Sequence, residues 1–236
     1  MKNILLIVIF ILVASCSSDD NPAPQNPVEV DNSGLTMTPT ANIQFNGSNF
    51  GIYKGVFVGS SGTIVIDVNN SAFINATLTV EGVQYLFTTD EQVTLDQPIV
   101  GLTFTDGINS FDFNVDANGM NAQLSLIYVE AHQFGNIEVV KEYSDALVRC
   151  YTGTFSGDQS GIFNLIRIEN SLYGLQKYPA DANSYYIQGT INPANLNIAG
   201  STENITFSGT ASGGTLQGTW QSADAQSGTW TVSRTL

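Results

Sequence analysis

Asp112, Asn114 and Asp116 alternate along one short stretch, and Asn118 follows two residues later. As an acid–base pair the two aspartates stand too far apart. Four residues of extended chain at about 3.3 Å each separate them by about 13 Å, wider than two carboxylates flanking a glycosidic bond require. As ligands, alternating oxygens suit a hard cation such as calcium. His132 is the single histidine, so any Ser-His-Asp system must use it. No Gly-x-Ser-x-Gly elbow accompanies it, and Ala131-His132-Gln133 gives no sign of a positioned base. One histidine and two cysteines exclude a histidine-rich or cysteine-rich metal site. Cys150, with no histidine near it in the sequence, reads as a small buried apolar residue. No catalytic residue and no cofactor is assigned.

The stretch from Asp112 to Gly119 resembles part of a calcium loop, which would make Asp112, Asn114, Asp116 and Asn118 the metal ligands. It departs from that pattern at Ala117, where the loop has glycine, and at Gln123, where it has a bidentate glutamate. The same residues also read as a polar strand face leading into an Asn118-Gly119 hairpin turn. Tyr173, Tyr178 and Tyr186 are the candidate ligand-binding aromatics, similar to the exposed rings on which carbohydrate-binding modules stack sugars. Tyr185 and Tyr186 are adjacent on a strand and must point to opposite faces, which sends one of them toward the core. Thr77-Leu78-Thr79, Thr103-Phe104-Thr105 and Thr229-Trp230-Thr231 could line up a flat hydroxyl array, although threonine also suits the wet side of any strand.

The elements that must position these groups are strands. From Ile43 onward apolar and polar residues alternate with period two, as in Ile64, Ile66 and Val68, in Phe111, Phe113 and Val115, and in Leu124, Leu126 and Tyr128. Glu81-Gly82, Asp106-Gly107 and Asn118-Gly119 separate the runs, and such pairs accept the positive φ of a tight hairpin turn. Consecutive strands joined this way pair antiparallel. An internal repeat is visible as well: Tyr53-Lys54-Gly55-Val56-Phe57-Val58-Gly59 and Tyr151-Thr152-Gly153-Thr154-Phe155-Ser156-Gly157 both read Tyr-x-Gly-x-Phe-x-Gly. A glycine-led apolar strand and an Asn-Ser turn follow each copy. The expected fold is therefore all-β, with antiparallel meanders in two related barrel-like or sandwich-like repeats, or one larger closed sheet. The repeats span residues 43–135 and 150–236.

Residues 136–149 between them are the one helical candidate. Asn136 can cap, Glu138 suits a first turn, Ile137, Val140, Ser144 and Leu147 share a face, and Asp145 with Arg149 forms an i,i+4 pair. A strand followed by a loop is the other reading of this connector.

The chain opens with Met1-Lys2-Asn3 and runs apolar from Ile4 to Val13, too short a stretch to span a bilayer and shaped like a signal peptide over residues 1–15. Val13-Ala14-Ser15-Cys16 resembles a bacterial lipobox, which implies cleavage before Cys16 and a thiol carrying a diacylglycerol, with palmitate among the acyl chains of the anchor. Such multiple acyl chains hold a protein at a bilayer durably. By the same resemblance Ser17 permits sorting to the outer membrane, and Ser17-Ser18-Asp19-Asp20 is similar to the export tags of surface lipoproteins in Bacteroidota. Residues 16–42 hold four of the seven prolines and read as a flexible tether, with a reach of up to about 75 Å in extended form. Seven basic against twenty-one acidic residues disfavour nucleic acid and anionic membrane surfaces as partners. The expectation is a non-enzymatic, lipid-anchored lipoprotein of the outer membrane, on the cell-surface side, that binds a glycan or joins a surface protein complex. A barrel carrier for a small apolar or glycan ligand is the alternative, followed by a hydrolase with carboxylates drawn from distant strands.

Overall fold

The computed structural model describes residues 31, 33–132, 134–179 and 181–236. The leader, Cys16 and the first part of the tether lie outside the described residues. Sixteen strands among the described residues form two eight-stranded antiparallel sheets. The expected face of Leu124, Leu126 and Tyr128 does not hold: the pairing slips at a bulge, Leu126 sits at φ 48°, Leu126 and Tyr128 are exposed, and Leu124 and Ile127 pack on the core instead. The first sheet holds β1 (Gly51–Val58), β2 (Gly62–Val68), β3 (Ile74–Val80), β4 (Val83–Thr88), β5 (Ile99–Thr105), β6 (Ser110–Val115), β7 (Gln123–Tyr128) and β8 (Asn136–Glu142). Its order is β7-β6-β5-β4-β3-β2-β1-β8, a meander that curls until it is nearly closed. The second holds β9 (Val148–Gly157), β10 (Gly161–Ile168), β11 (Ser171–Lys177), β12 (Tyr185–Ile191), β13 (Asn197–Ser201), β14 (Ile205–Ser212), β15 (Thr215–Ser222) and β16 (Ser227–Arg234). Pairing of β16 with β9 closes it into a barrel. Closure removes the exposed edges that would otherwise template aggregation.

The sequence repeat is a structural repeat. Tyr53 and Phe57 of β1, like Tyr151 and Phe155 of β9, point into their own barrel cores and are buried. Between them sit Gly55 and Gly153, where the neighbouring strand passes so close that a Cβ would lie 2.0 Å from the Glu138 carbonyl or 2.1 Å from that of Thr231. Turn chemistry behaves as expected at Glu81-Gly82, whose φ values of 50° and 84° suit the two-residue connection between paired Val80 and Val83.

The 136–149 connector is not a helix. Residues 136–142 are β8, which pairs with the free edge of β1 from Ile52↔Glu142 to Val58↔Asn136. Ile137 and Val139 point into the first core, a period-two pattern that outweighs the capping and charge spacing, and the adjacent β-branched Val139 and Val140 favour strand. The first unit thus extends through Glu142, and the second begins at Val148.

The barrels stand side by side with β1 against β9 and β10. Val56, Val148, Cys150 and Ile166 form a small apolar cluster between them. Asn164, fully buried, donates through Nδ2 to the Phe57 carbonyl at 2.7 Å and accepts from the Gly153 amide at 3.0 Å. At one end of the pair, the described part of the 16–42 segment is docked. Arg234 holds Asp31 at 2.6 Å and the Thr36 carbonyl at 2.6 Å, while Thr40 donates through its amide and hydroxyl to Glu142 at 2.7 and 2.9 Å. This strap spans both barrels.

Candidate functional site: the mouth of the second barrel

The interior of the second barrel is filled. Phe155, Phe163, Phe207, Trp220 and Trp230 pack edge to face or tilted, with ring centroids 5.3 to 5.9 Å apart. Both indole N–H groups find backbone acceptors, Trp220 on Ser156 at 3.0 Å and Trp230 on Ser208 at 3.1 Å. At the barrel end opposite the strap, however, the turns β9–β10, β11–β12, β13–β14 and β15–β16 stand up around a polar cup of about 750 Å³, inside the usual range for small-ligand sites.

Each wall of the cup follows from local sequence. Gln176 shares the inward face of β11 with Leu172 and Gly174, so the alternation that builds the core also delivers an amide to the cup. Its side chain is 1 % exposed, and Oε1 has no hydrogen-bond partner. Tyr178, just past β11, packs its ring edge to face on Phe155 at 5.3 Å and on Tyr185 at 5.7 Å. Asp181 in the β11–β12 loop accepts from the Asn183 amide at 2.9 Å and from the Tyr185 hydroxyl at 2.7 Å. Those bonds hold its carboxyl below the usual aspartate range. Burial pushes the Tyr178 phenol up, reinforced by the Asp181 charge and opposed by a hydrogen bond with Gln176. Tyr185 is raised first by its hydrogen bond to Asp181. Across the cup, Gln159 donates to Gln226 at 2.6 Å, tying two turns together.

Of the tyrosines predicted to bind ligand, only Tyr178 lies in the cup. Tyr173 and Tyr186 stand on the outer wall: Tyr173 is outward on β11, and Tyr186 pairs with outward Leu175. Tyr185, facing away from Tyr186, joins Tyr178. The calcium candidates are strung along β6 and its following turn and are used locally. Asp112 accepts from the Thr103 hydroxyl at 2.9 Å, Asn114 from the Gly101 amide at 2.8 Å, Asp116 from Asn121 at 2.7 Å and Asn118 from the Met120 amide at 3.0 Å. Among the described residues no group of three or more His, Cys, Asp or Glu is gathered for a metal ion.

Cys150 and His132 lie away from the cup. Cys150 is fully buried between the barrels, and burial pushes its thiol up to about 12, far from the thiolate a nucleophile needs. His132 Nδ1 lies 2.9 Å from the Ser60 hydroxyl, with the ring edge to face on Phe57. The predicted threonine array is divided. Thr77, Thr79 and Thr103 belong to the first sheet, whereas Thr229 and Thr231 join Ser156, Thr154, Thr219 and Gln217 on the outside of the second barrel. Gln176, Asp181 and Asp224 of the cup carry no sequence signal, since four separate turns bring the lining together.

No protein-family model, curated protein or solved structure matches this chain.

Proposed function

We propose that this is a lipid-anchored lipoprotein of the outer membrane that binds rather than catalyses, using the mouth of its second barrel at the cell surface. The observation that carries this reading is the cup itself: a polar recess on a barrel whose interior is already filled, with a buried amide oxygen left unpartnered in it. A filled interior favours capture at the rim over carriage inside. The lipobox-like Val13-Ala14-Ser15-Cys16 supports the anchor, and the strap supports a fixed presentation. Because Asp31, Thr36 and Thr40 are clamped at the barrel end opposite the cup, a chain rising from lipidated Cys16 would meet the domain from below, with the cup opening away from the bilayer.

Radiolabelled palmitate fed to cells producing the wild-type chain and a Cys16→Ala variant tests the anchor, with label expected on the first alone. Digestion of intact cells with an external protease, followed beside a periplasmic control, tests the face. Loss of the protein with the control intact supports the surface assignment, and survival until the membrane is opened overturns it.

A further inference from the structure

Deepening that reading and resting on it, we infer that the cup of the second barrel takes the terminal residue of a neutral glycan chain. Three features of the lining select this class.

The first is the orphaned acceptor. Gln176 Oε1 is sealed beneath the cup without a donor. Leaving such a group unpaired is costly, and an incoming hydroxyl supplies the missing donor. The terminal amide torsion is broad, so a modest rotation presents the oxygen to the cup.

The second is the charge of the wall. Asp181 and Asp224 contribute carboxylates, and among the described residues no Lys, Arg or His lines the cup. Lys177 turns its ammonium aside, onto the Asp181 and Asn183 carbonyls at 2.7 and 3.3 Å. A phosphate, sulfate or uronic acid therefore meets like charge with no counterion, whereas a polyol meets acceptors at Asp181, Asp224 and Gln176 and mixed donors and acceptors at the other amides. Oxygens fixed by Tyr185 and Asn183, as those of Asp181 are, lose little further freedom on binding.

The third is shape. Tyr178 and Tyr185 meet at an interplanar angle of 77°, which offers the C–H face of a pyranose one ring to lie on and a second ring edge as a stop. Tyr178 rests in turn on Phe155, and Phe155 on Trp220, in the filled interior of the barrel. The recess is blind, so a chain enters by its end and not by its middle.

Binding is measured by calorimetry on the purified full-length chain in detergent. The probes are neutral hexose and N-acetylhexosamine oligomers, the same oligomers blocked at the non-reducing end, and uronic-acid oligomers of equal length. Binding of at least one unblocked neutral oligomer, at least tenfold weaker binding of its blocked form and none of the uronic-acid series is expected. Gln176→Met and Tyr185→Ala should each weaken the bound oligomer at least tenfold while leaving the thermal melting and the tryptophan spectrum close to wild type. If Gln176→Met unfolds the barrel, Asp224→Asn on the rim replaces it with the same expected loss. Absence of binding across the neutral series, preference for uronic acids, or binding indifferent to these substitutions overturns the inference. Palmitate labelling is independent of this result: label without saccharide binding sinks the ligand assignment alone, and binding without label sinks the anchor alone.

Discussion

Lys54 Nζ lies 2.6 Å from Glu142 Oε2, and both side chains are sealed from solvent where β1, β8 and the strap meet. Glu142 also accepts from the Val148 amide at 3.1 Å and from Thr40, so one carboxylate joins the first barrel, the start of the second and the strap. Removing one partner of such a pair strands a buried charge at a cost of about 3–5 kcal/mol, whereas replacing both with apolar groups costs far less. Urea denaturation should find Glu142→Ala destabilised by about that amount and Lys54→Met/Glu142→Leu much less so. A single-variant loss under about 1 kcal/mol would show that the pair does not hold the junction.

The strap should loosen with acid. Burial would raise the Asp31 carboxyl, but hydrogen bonds from Ser33 and Arg234 and the Arg234 charge outweigh it and lower the pKa to about 2. A depressed folded pKa contributes stability that is complete above the unfolded value near 3.8 and lost as pH falls toward 2, here about 2 kcal/mol. Asp31→Asn should therefore be less stable than wild type at pH 7, with the gap closing near pH 2. Limited proteolysis at pH 7 should cut residues 33–40 faster in Arg234→Met than in wild type. Equal cutting rates would mean that Arg234 does not secure the strap.

Much of this fold was legible because its signals are local. Residues 161–168 form an apolar run that begins with glycine, and β10 occupies those very residues; Tyr-x-Gly-x-Phe-x-Gly announces the two barrels through the close approaches at Gly55 and Gly153. β13 was hidden because Ala199 and Gly200 interrupt its pattern, and Gly200 is required where the Phe207 ring crosses the strand. β8 is ambiguous in sequence, because the pairing that decides between helix and strand there comes from β1, some 84 residues earlier along the register Ile52↔Glu142 to Val58↔Asn136. The cup was the least legible feature. Tyr178 carried a chemical hint, but Gln159, Gln176, Asp181, Asp224 and Gln226 acquire a common role only when closure brings four turns to one rim.

If the two repeat glycines do the same work, they should fail alike. A Cβ at Gly55 would also lie 2.6 Å from Val139 Cγ1, and one at Gly153 would lie 2.7 Å from the Val232 Cα. The backbone contacts with the Glu138 and Thr231 carbonyls cannot yield without separating a strand pair. Gly55→Ala and Gly153→Ala are each expected to cost at least about 3 kcal/mol, at the upper end of the range for single substitutions. Gly47→Ala, with open space around the added methyl, should shift stability by no more than about 0.5 kcal/mol. Thermal melts of the three variants separate the outcomes, and a mild effect at Gly153 beside a severe one at Gly55 would show that the repeats have diverged in their closest strand contacts.

The groove between the barrels should make the protein less stable as pH rises through neutrality. Glu138 sits on the outward face of β8, where Tyr186 lies close enough to be affected by its charge, and burial pushes the Glu138 carboxyl up to about 7 from its usual 4.5. At pH below 4.5 the group is protonated in both folded and unfolded chains and contributes no difference. Between 4.5 and 7 the unfolded chain releases this proton more readily than the folded one, so stability falls as pH rises, and above 7 the full penalty, on the order of 1–3 kcal/mol, is in place. Glu138→Gln removes the titration without removing the side chain's volume. The variant should match wild type at pH 4, gain stability relative to it from pH 5 to 7, and hold that gain at pH 8. Parallel stability curves for the two proteins across this range would show that Glu138 remains ionised and well solvated in the groove.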